Sequence, residues 1–192
     1  MGNRKVNVLL HTCCGPCASA CVPRLKESGH SVTMFFANSN IDTQEEFERR
    51  LASARILADA ESARIVALPY DHAEWLREVA NGFEGEPEKG ERCRRCFRYN
   101  LAKAAEAAAS LGCDAFTTSL TVSPHKPSAV VFGSSDDERF LKIDFKKREG
   151  FKLSVRRAAE LGLYRQGYCG CEFSRRERER HAAGAEKPGG QA

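Results

Sequence analysis

Short apolar runs alternate with stretches of helical period as far as Thr118. Val6–Leu10 reads as a strand, and after Pro16 a helix follows with Ala18, Cys21, Val22 and Leu25 on one face, ending near Gly29. Ser31–Phe36 is a second strand. Asp42 with Glu45 reads as a capping box for a helix whose apolar stripe is Phe47, Leu51, Ala54 and Ala58. Ile65–Leu68 is a third strand closed by Pro69, and Trp75, Leu76 and Val79 mark a short helix. Residues 81–92 form a polar Gly- and Glu-rich loop that leads into Cys93-Arg94-Arg95-Cys96 and an alanine-rich helix to about Leu111, stopped by Gly112. Ala115–Thr118 is a fourth strand. The pattern then weakens: Ile143-Asp144-Phe145-Lys146-Lys147 reads as a short strand or loop, and Ser154–Leu161 as a short helix capped by Ser154. From Arg175 the chain reads as a solvated helix fraying into a charged, disordered tail.

The order β-α-β-α-β-α-α-β predicts an α/β protein, a parallel sheet with flanking helices and right-handed crossovers. It also predicts one domain over residues 1–174 and a tail over 175–192. The 192 residues, 42% hydrophobic and 29% charged, suit a single core. No segment approaches the ~18 consecutive apolar residues of a membrane span, and Met1 to Lys5 lead straight into a strand without a signal-peptide apolar region. The expectation is a cytoplasmic protein with no membrane partner. A net charge of +4 permits an anionic partner without requiring one.

Nine cysteines, an odd count, argue against a disulfide framework and for metal or redox work. His11-Thr12-Cys13-Cys14-Gly15-Pro16-Cys17 lies where the first strand turns into a helix. That corner is the carboxyl edge of a parallel sheet, where ligands bind, and the helix N-terminus there favours thiolate. Cys93 and Cys96 enter a second helix in the same way. With Cys13 and Cys14 they offer four thiolates, a set that holds zinc or an iron–sulfur cluster; two adjacent ligands suit the wider cluster better. A rival reading takes Cys14-Gly15-Pro16-Cys17 as a thioredoxin-like dithiol in which Cys14 attacks and Cys17 resolves. It leaves Cys93, Cys96, Cys169 and Cys171 without a role. Cys169-Gly170-Cys171, set among Tyr164, Tyr168 and Phe173, reads as a docked functional pair, either a redox dithiol or a second metal site. Cys21, Cys113 and Trp75 read as core. His11 reads as a proton donor or a backbone hydrogen-bonder, and His125 and Lys126 follow the fourth strand toward the same edge.

Five motifs follow in order: His11-x-Cys13-Cys14-Gly15-Pro16-Cys17; Gly85-Glu86-Pro87-Glu88-Lys89-Gly90-x-Arg92-Cys93-x-x-Cys96-Phe97; Phe116-Thr117-Thr118-Ser119-Leu120-x-x-Ser123-Pro124-x-Lys126; Asp144-Phe145-Lys146-Lys147; and Leu163-Tyr164-Arg165-Gln166-x-Tyr168-Cys169-Gly170-Cys171. Over residues 6–174 the chain resembles the cobalamin-independent epoxyqueuosine reductases, the QueH family. Where that family more often has Tyr-Asn-Pro-Asn-Ile, this chain has Ala37-Asn38-Ser39-Asn40-Ile41 and keeps Asn38 and Asn40.

The resemblance implies a Rossmann-like fold similar to the HUP group and reduction of epoxyqueuosine to queuosine in tRNA, the last step of that modification. It implies a [4Fe-4S] cluster on Cys13, Cys14, Cys93 and Cys96 and a second iron ion beside it, with Cys17 as its natural ligand. On this reading the proton donor is among His11, Tyr168, Cys169 and Cys171, the last two with the option of a redox disulfide. The substrate pocket draws on Asn38, Asn40, Ser119, Ser123, Lys126, Tyr164 and Arg165. The partners are an external electron donor and a tRNA whose unpaired anticodon-loop base is splayed into the pocket. Arg94, Arg95, Arg98, Lys146 and Lys147 are candidates for phosphate contacts.

Overall fold

The computed structural model describes residues 6–185. Met1 to Lys5 and residues 186–192, the end of the predicted disordered tail, lie outside the described residues. The strands are β1 (Asn7–His11), β2 (Ser31–Phe36), β3 (Arg64–Ala67) and β4 (Ala115–Thr118), and every pairing is parallel in the order β3-β2-β1-β4. Helices α1 (Gly15–Glu27), α2 (Gln44–Ala60), α3 (His72–Trp75), α4 (Glu91–Ser110), α5 (Ser128–Phe132), α6 (Gly150–Glu160) and α7 (Glu172–Ala185) surround it. A π-helical turn, Leu76–Ala80, continues α3, and a 3-10 turn, Ser119–Val122, follows β4.

Both faces of the sheet are covered, so the central strand has no polar side to spare. Val8 and Leu10 of β1 join a core with Ala18, Val22 and Leu25 of α1 and Phe47 and Leu57 of α2. Leu9, pointing the other way, joins Phe97, Leu101, Ala104 and Ala108 of α4. β1 is followed on one side by β2 and β3 and flanked on the other by β4. The chain direction therefore diverges between β1 and β4, and a crevice opens at their carboxyl ends. The backbone is paired beyond the strands there: Thr12 N–H donates to the Phe35 carbonyl at 2.8 Å, and the Asn38 amide donates to the Thr12 carbonyl at 2.9 Å.

Several boundaries differ from the sequence reading, each for a local reason. α2 is capped by Thr43, whose hydroxyl accepts from Glu46 N–H at 3.2 Å; Asp42 is instead a buried acceptor for Tyr168. α6 starts at Gly150, a turn before Ser154, and Ser154 lies inside the helix donating to the Phe151 carbonyl at 2.7 Å. The segment around Ile143 is a loop whose carbonyls at Leu141 and Ile143 accept from the Thr117 and Thr121 hydroxyls rather than from a strand. α7 begins at Glu172, before Arg175, because Ser174 and Phe173 dock against the body of the protein.

α1 is pressed onto α2 at its first residue. A Cβ on Gly15 would lie 2.7 Å from Ser53 Oγ and 2.8 Å from the Ser53 carbonyl oxygen. Gly15→Ala is therefore expected to push the cysteine corner away from α2 and cost about 1–3 kcal/mol of stability. Urea unfolding of the variant and the wild type checks this; an unchanged midpoint would contradict the close approach.

Candidate active site and metal centre

A cavity of about 580 Å³ opens at the divergence of β1 and β4. Its floor is the cysteine corner. Cys13, Cys14 and Cys17 lie with their sulfurs within 4.8 Å of one another. Ser119, the first residue after β4, fixes this corner twice: its hydroxyl accepts from Cys13 N–H at 3.0 Å and donates to Cys13 Sγ at 3.2 Å. Cys14 is the N-cap of α1, and its sulfur accepts from Cys17 N–H at 3.4 Å. Hydrogen bonds from the Cys13 and Cys17 thiols hold the Cys14 thiol well below its ordinary range, despite complete burial. Cys13 is pushed up to about 12, chiefly by its bond to Cys14, and Cys17 is raised by Cys13 and Cys14 together.

A second thiol group faces the first. Cys96 of α4 and Cys169 line the same cavity. Cys93 sits one turn earlier on α4, its sulfur accepting from Lys89 N–H at 3.2 Å, and Cys171 is buried beneath with Trp75 and Val79. Burial raises Cys93, Cys96 and Cys171, Cys171 to about 12, and the charge of Cys169 raises all three further. Lys126, half-buried, stands between the two groups. Burial pulls its ammonium down, but the facing Cys169, Cys13, Cys17 and Cys14 sulfurs outweigh this and hold it above its ordinary value. Thiols that raise one another in this way ionise together when they share a cation or cluster. The donor set, soft sulfurs from two helix starts on one buried cavity, fits an iron–sulfur cluster.

The predicted site residues divide. Asn38, Asn40, Ser123, Arg165 and Tyr168 line the cavity with His11, Lys126 and the Cys13, Cys14, Cys17, Cys96 and Cys169 thiols, whereas Cys93 and Cys171 lie outside its lining. His11 is fully buried, its Nδ1 paired with the Thr118 hydroxyl at 2.8 Å; burial lowers it to about 4, so it is a neutral imidazole at pH 7. The Tyr168 hydroxyl points away, donating to Asp42 at 2.7 Å, and burial and that carboxylate raise it. Tyr164 is outside the cavity, its hydroxyl donating to Glu46 at 2.9 Å. The Asn38 amide is committed to the backbone. Most of the phosphate candidates are structural. Arg95 donates to the Val79 and Glu78 carbonyls, Arg98 pairs with Glu91, and Lys146 donates to Thr121, Lys126 and Ser128. Arg94 and Lys147 stay exposed. Cys21 and Trp75 are core, whereas Cys113 is half-exposed.

Arg50 carries a role the sequence reading missed. It is 2% exposed. Its guanidinium donates to Glu46 at 2.7 Å, to the Cys169 carbonyl at 2.9 Å and to the Tyr168 carbonyl at 3.4 Å. Gly170 packs beneath it, where a Cβ would lie 2.8 Å from the Asn40 amide nitrogen. The available signal was a charged pair, Glu46 and Arg50, inside the apolar stripe of α2. α7 closes the other side: Cys169 N–H donates to the Ser174 hydroxyl at 3.1 Å, Ser174 donates to Glu88, and Glu88 N–H donates to Glu177.

Comparison with known proteins agrees with this geometry. The family model for epoxyqueuosine reductase QueH matches residues 8–177. The chain belongs to the QueH family. Among QueH proteins it is 37% identical to that of Streptococcus pyogenes over 180 residues, covering 88% of this chain and 70% of the other. It is 32% identical to that of Thermotoga maritima over 192 residues, covering 95% and 97%. The U34-tRNA thiolase NcsA from Methanococcus maripaludis, solved with its [4Fe-4S] cluster, shares the fold at a TM-score of 0.55 and 10% identity, over 95% of this chain and 67% of that one.

The QueH dithiol loop thus hangs on a buried cation. Arg50→Ala is expected to leave the buried Glu46 carboxylate with only the Tyr164 hydroxyl and the exposed Arg49 guanidinium, and to cost about 3–5 kcal/mol of stability. It is also expected to speed alkylation of Cys169 in the folded protein. Urea unfolding and timed alkylation read by mass spectrometry check both; a Cys169 rate equal to wild type would show that Arg50 does not hold the loop.

Proposed function

We propose that this QueH protein reduces epoxyqueuosine to queuosine in tRNA, in the cytoplasm, drawing electrons from an external donor. Cys13, Cys14, Cys93 and Cys96 hold a [4Fe-4S] cluster, and Cys17 is a ligand of a second iron. The observation that carries the reading is the convergence of two thiol groups on one cavity where β1 and β4 diverge. When bound, the cluster supplies electrons one at a time and the second iron a Lewis acid for the epoxide oxygen.

The conversion takes two electrons and two protons and releases the epoxide oxygen as water. The protein's own groups divide the remaining work. His11, neutral and buried, shapes the floor. Tyr168 braces the loop through Asp42. Cys169, which lines the cavity, is then the candidate proton donor of that original set. The Lys126 ammonium supplies positive charge beside the leaving oxygen. Asn40, Ser123 and Arg165 offer polar contacts to the nucleoside.

The thioredoxin-like reading has one point in its favour, a lowered Cys14 beside a raised Cys17. It fails on access. Cys14 is 0% exposed, and a disulfide of another protein has to reach the attacking sulfur.

Protein purified without oxygen is expected to be brown, with iron and acid-labile sulfide. Cys93→Ala or Cys96→Ala should lose the cluster, while Cys21→Ala and Cys113→Ala keep it. Iron loss in Cys21→Ala equal to that in Cys96→Ala would overturn the ligand assignment. Reduced, cluster-loaded protein incubated with tRNA carrying epoxyqueuosine should remove one oxygen from that nucleoside, read by digestion and mass spectrometry. An intact epoxide with a competent donor would sink the reading.

A further inference from the structure

The rim of the cavity carries one large group that neither the chemistry above nor the core uses. Phe151 is 39% exposed and lines the cavity mouth. The other large apolar side chains exposed among the described residues, Ile56, Leu68 and Leu76, are not part of that lining.

The backbone fixes this exposure. Arg148 and Glu149 both lie in the left-handed region at φ 56°, where non-glycine residues are strained. Gly150 follows, and a Cβ there would fall 1.7 Å from the Phe145 carbonyl oxygen, so the chain passes with no room for a side chain. This corner delivers Phe151 into the first turn of α6, where Ser154 bonds its carbonyl. Strain of this kind persists where the surroundings over-determine it, and it gathers at ligand clamps.

Lys126, Arg165 and Arg178 share the mouth with the His125 ring, Arg178 also donating to the Gly167 carbonyl. The carboxylates of Glu88 and Glu177 also lie there. Both are occupied, Glu88 by the Ser174 hydroxyl and Glu177 by the Glu88 backbone N–H. A fixed aromatic face among cations matches a flat base with a phosphate on either side, the recognition unit of unpaired RNA. We propose that Phe151 is the stacking platform for the nucleotide next to the modified base in the anticodon loop. The inference rests on the reductase reading and adds the residue that holds the loop open while the target base enters the cavity.

The test uses cluster-loaded protein and an anticodon stem-loop RNA that carries epoxyqueuosine, with 2-aminopurine at the nucleotide on one side or the other. Affinity is read by anisotropy and stacking by 2-aminopurine quenching. Phe151→Ala should weaken binding roughly 5- to 150-fold and abolish quenching at one of the two positions. Phe151→Tyr should restore both. Phe151→Leu, which keeps apolar bulk without a π-face, should behave like Phe151→Ala. Equal iron content across the variants shows that each is folded. If Phe151→Ala binds as wild type does, or Phe151→Leu as Phe151→Tyr does, the stacking role is overturned while the reductase reading stands. If wild-type protein binds no such RNA, that reading falls and the inference with it.

Discussion

The structure depends on a two-point contact between Ser119 and Cys13. β1 and β4 are neighbours made far apart in sequence, paired to their last residues, His11 and Thr118, and the crevice opens beyond that pair. A single hydroxyl spans the opening, accepting the Cys13 N–H and donating to the Cys13 sulfur. It therefore sets the height of the cysteine corner relative to the second half of the sheet. The start of α1, the position of Cys14 at its cap, and the distance to the thiols on α4 all follow from that height. An unpaired N–H buried at this point would cost about 1–3 kcal/mol, so the contact is also a stability device.

Much of this was legible before the fold was in hand. The strands were legible because a parallel sheet covered on both faces makes its strands continuous apolar runs. Cys13, Cys14, Cys17, Cys93 and Cys96 were legible because a helix entrance is recognisable and thiols there are seldom packing. What the sequence could not convey was direction. Tyr164 and Tyr168 read as site residues from their neighbourhood, yet their hydroxyls turn to Glu46 of α2 and to Asp42 just before it, a contact no local pattern encodes. Arg95 and Lys146 read as free cations because a basic side chain on a helix or loop gives no sign of the carbonyls it will find. Arg50 is the opposite case: a charge inside the buried face of α2 implies internal partners, but the Cys169 and Tyr168 carbonyls that it meets lie more than a hundred residues away.

The two sides of the cavity are built to different mechanical standards. The cysteine corner belongs to the central strand and is locked by sheet hydrogen bonds. The Cys169 loop is held mainly by side chains, Arg50 of α2, Asp42 just before α2 and Ser174 of α7, with one backbone bond from Asp42 N–H to the Gly170 carbonyl at 3.0 Å. Such a loop opens at lower free energy than the sheet. The cavity is thereby divided between a rigid floor and a more loosely held thiol loop.

The latch through α7 has a consequence for how the molecule is made. A ribosome adds about 5–20 residues per second, so Cys13, Cys14 and Cys17 emerge on the order of ten seconds before Cys169, and the helix that pins Cys169 emerges last of all. During that interval β1, β2 and β3 can associate while the place of β4 is empty and the first thiols face solvent. The nascent chain thus displays a half-built thiol basin whose wall is complete only when the C-terminal end has docked.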